Sequence, residues 1–81
     1  MAVMDAYATA LKHYLGKPDV KQEDIAREIK KSQPAVFRYA NGQRFPDSKT
    51  AKLIDEATSG VVSFALWQSV AMQRLGISEA A

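Results

Sequence analysis

Apolar positions recur at helical spacing in five short runs, parted by glycine, proline and capping residues. The first run, Asp5 to Leu15, places Tyr7, Ala8, Leu11, Tyr14 and Leu15 on one stripe; Asp5 stands where it can cap the start, and Gly16 with Pro18 end it. The second, Gln22 to Lys30, turns Ile25, Ala26 and Ile29 inward and carries Glu23 and Asp24 at its positive N-terminal end. The third is capped by Ser32, runs from Gln33 to about Asn41 and stops at Gly42. Its Pro34 falls in the first turn, where a missing N–H costs nothing. The fourth follows the loop Gly42–Pro46, with Asp47 or Ser48 as cap, Ala51, Leu53, Ile54 and Ala57 as apolar positions, and Gly60 just past its end. The fifth runs from about Ser63 to Leu75 with Gly76 as its C-terminal residue, and Val61 with Val62 before it suit a short extended piece. Nothing else reads as sheet. The pattern predicts an all-α fold.

At 81 residues the chain is expected to form one domain, residues 1–81, because a second core could not bury enough surface to be stable. Hydrophobic residues make up 47% and charged residues 25%, too apolar for a disordered chain. There is no cysteine, so neither a disulfide framework nor a thiolate metal site can form, and a reducing compartment such as cytoplasm is expected. The stretch Met-Ala-Val-Met-Asp at the N-terminus lacks the basic and apolar regions of a signal peptide. No uncharged run reaches the roughly 18 apolar residues of a membrane span, and no membrane association is expected.

Charge distribution sharpens this picture. The net charge is only +2, but Lys30, Lys31, Arg38, Arg44, Lys49 and Lys52 face a single acid, Asp47, between residues 30 and 52, which gives six minus one, or +5. The remainder carries five bases and eight acids, or −3. A basic segment in an otherwise acidic chain suits a polyanion.

The second and third runs are separated by only two or three residues, Lys31 and Ser32 among them. So tight a junction makes two short helices cross steeply, the geometry of a helix-turn-helix. The stretch 22–42 resembles the motif of Cro and lambda-type repressors at Gln22, the Ile25-Ala26 pair, Ile29, the Ser32-Gln33 pair, Val36, Tyr39 and Asn41-Gly42. The run from Lys52 to Val62 is similar to the ending of the fourth helix in YdaS-like members of that superfamily, so the likeness covers roughly residues 8–63. It implies a compact five-helix lambda-repressor-like domain that binds double-stranded DNA. Two positions depart from the family pattern. Lys30 stands where relatives often carry glycine to reach a positive φ, and Lys21 where many place a Ser or Thr cap.

On the third helix, 100° per residue puts Val36, Tyr39 and Ala40 toward the core and leaves Gln33, Pro34, Phe37, Arg38 and Asn41 free. Gln33, Pro34, Phe37 and Arg38 are the expected base-contacting residues. Gln33 can pair bidentately with adenine and Arg38 with guanine, while Phe37 either meets a thymine methyl or folds back onto Arg44 or Phe45. The resemblance assigns phosphate contacts to Gln22 and Asn41, joined by Lys31, Ser32, Arg44 and Lys49 in the turn, the basic loop and the next helix. Lys12, Lys17 and Arg74 are expected as solvated charges, His13 as an exposed residue, and Phe45 as the anchor of its loop.

The fifth run is apolar on two sides. Trp67, Ala71, Phe64, Leu75, Met72 and Ala65 share one arc, and Leu66 with Val70 form a second patch. Residues 63–75 are therefore a candidate dimerisation element, with Leu66, Trp67 and Val70 at the interface and a twofold operator to match; the alternative is one helix wrapped around its own core. The leading function is a sequence-specific DNA-binding regulator, a Cro-like repressor or an antitoxin-type regulator. The alternative is a helical module that binds a protein through the Trp67 helix. An enzyme is not expected, since there is one histidine, no glycine-rich phosphate loop and no paired carboxylates in an evident pocket; nor is a metal or other cofactor.

Overall fold

The computed structural model describes residues 5–75. They form α1 (Ala6–Leu15), α2 (Gln22–Glu28), α3 (Gln33–Ala40), α4 (Ser48–Ala57) and α5 (Phe64–Arg74), with no strand among the described residues. Val61 and Val62, expected to be extended, form a bend instead, because Val62 turns inward and is completely buried. The Gly76 expected to close the last helix lies outside the described residues; Leu75 is the C-cap.

Local chemistry explains where each helix starts. Asp5, Ser32, Asp47 and Ser63 each accept a hydrogen bond from the backbone N–H three residues on, satisfying a donor that the helix itself cannot. This decides between the two cap candidates of α4 in favour of Asp47, whose carboxylate accepts from Thr50 N at 2.8 Å. Lys21 makes no side-chain cap, as its departure from the family pattern implied.

Three helices end in the same way. After α2, Lys30 N donates to Arg27 O (3.1 Å) and Lys31 N to Ala26 O (2.9 Å); after α3, Gly42 N donates to Tyr39 O (3.4 Å) and Gln43 N to Arg38 O (2.9 Å). After α4, Ser59 N donates to Glu56 O (3.2 Å) and Gly60 N to Asp55 O (2.8 Å). Each is the paired closure of a Schellman motif, which needs a left-handed residue at its turn. Those residues are Lys30 (φ 60°), Gly42 (φ 72°) and Ser59 (φ 54°), so two of the three turns place a side chain where glycine is favoured. The Lys30 turn also shortens α2 by two residues relative to the expected Gln22–Lys30.

The helices contact one another in a closed circuit: α1 on α3, α3 on α2, α2 on α4, α4 on α5, and α5 back on α1. Tyr7, Leu11, Ile25, Ile29, Val36, Tyr39, Ile54, Val62 and Val70 meet inside it. Helix α5 packs against two others. Because this helix leans on both α1 and α4, its smaller apolar patch is turned inward: Val70 is 2% exposed and belongs to the core, and Leu66 is half-buried against it, while Met72 and Leu75 of the larger arc stay exposed. Of the residues expected to meet a second copy, Val70 is thus buried by the chain itself and Leu66 is partly so.

Trp67 is also committed. Its ring stacks between Phe45 (centroids 5.6 Å apart) and Phe64 (5.2 Å), and its indole N–H donates to Pro46 O at 2.8 Å. Arg74, exposed as expected, also lies 4.5 Å above the Phe45 ring and pairs with Asp5 at 3.7 Å, linking α5 to the α3–α4 loop and the start of α1. Lys17 is exposed, as expected of a solvated charge, and stands over the Tyr14 ring. Thr58 holds the α4–α5 corner: wholly buried, its hydroxyl donates to Ile54 O (2.8 Å) and accepts from Val62 N (3.0 Å). Asp55 accepts from Phe64 N at 2.8 Å.

Candidate nucleic-acid interface

Helix α3 divides cleanly. Val36, Tyr39 and Ala40 are buried, while Gln33, Pro34, Phe37 and Arg38 are exposed. Of the five other residues of this eight-residue helix, Ala35 is half-buried and the four exposed ones are those named from sequence as base-contacting. Phe37 does not fold back onto Arg44 or Phe45. It is 52% exposed and stands at the lip of a groove lined by Lys12, Leu15, Gly16, Gln22, Ala40 and Asn41.

Side-chain amides pin both ends of this helix. Gln22 Nε2, at the start of α2, donates to the carbonyl of Gln33 at 3.2 Å. Asn41 Nδ2 donates to Phe37 O at 2.8 Å, and Asn41 Oδ1 accepts from Lys12 Nζ at 3.2 Å. A primary amide has two N–H donors, so each keeps one with which to meet an anion while the other fastens α3. Ser32 combines duties in a comparable way: its oxygen caps α3 by accepting from Ala35 N at 3.2 Å, and its hydroxyl proton stays free to donate.

Tertiary packing also gathers cations that are dispersed in sequence. Lys30, Lys31 and Lys49, all exposed, line one concavity together with Asp47 and Thr50 at the start of α4. The Asp47 carboxylate is held below its ordinary value of 3.8 chiefly by its hydrogen bonds to Thr50; burial opposes this, and the Lys31 and Lys49 charges add a lesser lowering. Arg44 is exposed just beyond α3, its N–H donating to Arg38 O at 3.3 Å. Lys52 is drawn away from this group and stands 5.3 Å over the Phe64 ring.

Five of the six phosphate-contacting candidates flank α3 in the chain, Gln22, Lys31 and Ser32 before it and Asn41 and Arg44 after it, while Lys49 of α4 shares a concavity with Lys31. Two residues join them that sequence reading passed over. Lys12 reaches Asn41 from α1, and its place at the rim of the Leu11–Leu15 stripe was the available signal. Lys30 enters through the turn, which no periodicity could indicate. Leu66, Trp67 and Val70 lie elsewhere, on α5.

His13 is exposed, and among the described residues no group of three or more His, Cys, Asp or Glu could hold a metal ion. No described helix is long and apolar enough to cross a membrane. No protein-family model, curated protein or solved structure matches the chain.

Proposed function

We propose that this chain is a sequence-specific double-stranded DNA-binding regulator of the Cro and lambda-repressor type, acting in the cytoplasm as a repressor or antitoxin-type regulator by occupying an operator with α3 in the major groove. The observation that carries this reading is the division of α3, whose outward residues are two base-reading side chains, Gln33 and Arg38, beside Pro34 and Phe37. Exposed Lys31, Arg44 and Lys49 around that helix supply the sequence-independent attraction to phosphates. The free N–H groups of Gln22 and Asn41 set register.

Selection from a random duplex library at fixed salt tests it. A conserved motif, repeated as two half-sites with twofold symmetry, is the expected product, and its spacing reports how two copies are arranged. Failure to enrich any motif would remove the reading.

A second reading, a protein-binding module, is favoured by one feature. An apolar groove on α5 is lined by Phe45, Pro46, Trp67, Ala71 and Leu75, with Leu75 75% exposed at its edge. Salt separates the two, because phosphate contacts weaken steeply as salt rises and an apolar contact does not.

A further inference from the structure

An aromatic ring exposed on a polar, cation-flanked helix face calls for a chemical partner. Among the exposed large hydrophobic residues of the described chain, Val61, Met72, Leu75 and Phe37, only Phe37 lies on α3 and only it is aromatic. Pro34 precedes it by three positions and Arg38 follows Pro34 by four, so the three side chains are neighbours on one face. Gln33 borders the same spot, four positions before Phe37. The result is a small apolar patch between an amide and a guanidinium. Its backbone is restrained, since the Phe37 carbonyl accepts from Asn41 Nδ2, whose amide oxygen is in turn held by Lys12 of α1.

Base edges in the major groove are donors and acceptors with a single apolar exception, the methyl group on C5 of thymine. 5-Methylcytosine presents that group at the same ring position. The guanidinium next to the patch matches guanine O6 and N7. Resting on the major-groove reading above, we propose that Phe37, backed by Pro34, reads the C5-methyl group of a pyrimidine adjacent to the guanine held by Arg38. Binding then depends on that methyl, whether thymine or 5-methylcytosine carries it, and the protein distinguishes methylated from unmethylated cytosine at that step.

The test uses the full chain and the operator recovered by selection, resynthesised with deoxyuridine in place of each thymidine in turn. Uracil differs from thymine by the methyl alone, leaving pairing and hydrogen-bonding edges intact. At one position per half-site, uracil should weaken binding about four-fold, the effect of burying one methyl. Cytosine placed there, paired with guanine, should bind about four-fold more tightly once methylated on C5. Phe37→Ala should abolish both differences, while Phe37→Leu, still apolar, should keep part of each. Because Phe37 is exposed, both variants should retain the wild-type Tm. A uracil scan that is flat at every position overturns the proposal, and so does a methyl preference that survives in Phe37→Ala. Either result, obtained on a selected operator, leaves the DNA-binding reading standing; a selection that returns no operator fails both.

Discussion

Lys30 and Ser59 adopt positive φ with side chains that gain nothing from it. Each turn closes because its two backbone hydrogen bonds outweigh the cost of the left-handed residue. Lys30→Gly and Ser59→Gly should therefore each stabilise the fold by about 0.5–1 kcal/mol in urea titrations. Loss of stability in both would mean that the lysine and serine side chains contribute contacts beyond their backbone geometry. Tyr7 poses a different residue-scale problem. Its hydroxyl is buried and finds no hydrogen-bond partner among the described residues, and burial first, then the Asp55 and Asp5 charges, push its pKa well above the ordinary 10.0. A raised folded pKa leaves stability intact below pH 10 and erodes it above, because the unfolded chain ionises first. Tyr7→Phe should be neutral or mildly stabilising at pH 7 and should flatten this alkaline decline in thermal melts between pH 9 and 11.

Single elements depend on how their ends are held. Asp47 both caps α4 and faces Lys31 and Lys49, so Asp47→Ala should cost about 0.5–2 kcal/mol at neutral pH. Its depressed pKa means that the contribution is present above 3.8 and is lost as pH falls through the lower folded value. Asp47→Ser keeps a cap without an ionisable group. It should show a smaller loss at neutral pH and lack the Asp47 share of acid destabilisation, both measurable by denaturant titration at pH 3 and pH 7. Helix α5 shows the opposite case, an element placed by its faces rather than its ends. Val70 is core and Leu66 is packed against it, so substitutions there act on folding and would mislead as probes of dimerisation. Met72 and Leu75 are the exposed apolar positions of that end.

For the whole molecule, the charge asymmetry of the chain becomes useful only after folding. Lys31 precedes α3, Arg44 follows it and Lys49 comes from α4, and Lys12 joins through Asn41. If these four cations and Lys30, beside Lys31 and Lys49, meet phosphates, the slope of log K against log salt should be roughly −4.5 per bound protomer. Lys49→Ala should weaken all sequences alike and reduce that slope by about 1. Arg38→Ala should instead cost about 1–3 kcal/mol and relax preference at one base pair. Equal, sequence-independent losses for both substitutions would show that α3 is not reading bases.

Much of this was legible without coordinates, because it is decided within a turn or two of chain. Helix starts follow from Asp5 and Ser32, with Asp47 one of two candidates for α4, and the inward stripe of α3 follows from the spacing of Val36, Tyr39 and Ala40. The departure at Lys30 was visible too, since the closing turn of α2 needs a left-handed residue whatever its side chain. Periodicity could not say which neighbour would cover each patch of α5. Two apolar faces look alike on a wheel whether a second molecule or α1 and α4 bury them, and only the closed circuit of helices decides. The same holds for Arg74 on Phe45, Lys12 on Asn41 and Lys52 on Phe64, where a charged side chain meets a partner 29 positions distant along the chain in the first two pairs and 12 in the third. Short-range sterics and capping thus belong to the sequence itself, while the assignment of long side chains and shared surfaces belongs to the tertiary structure, because their partners are brought together only when the chain closes.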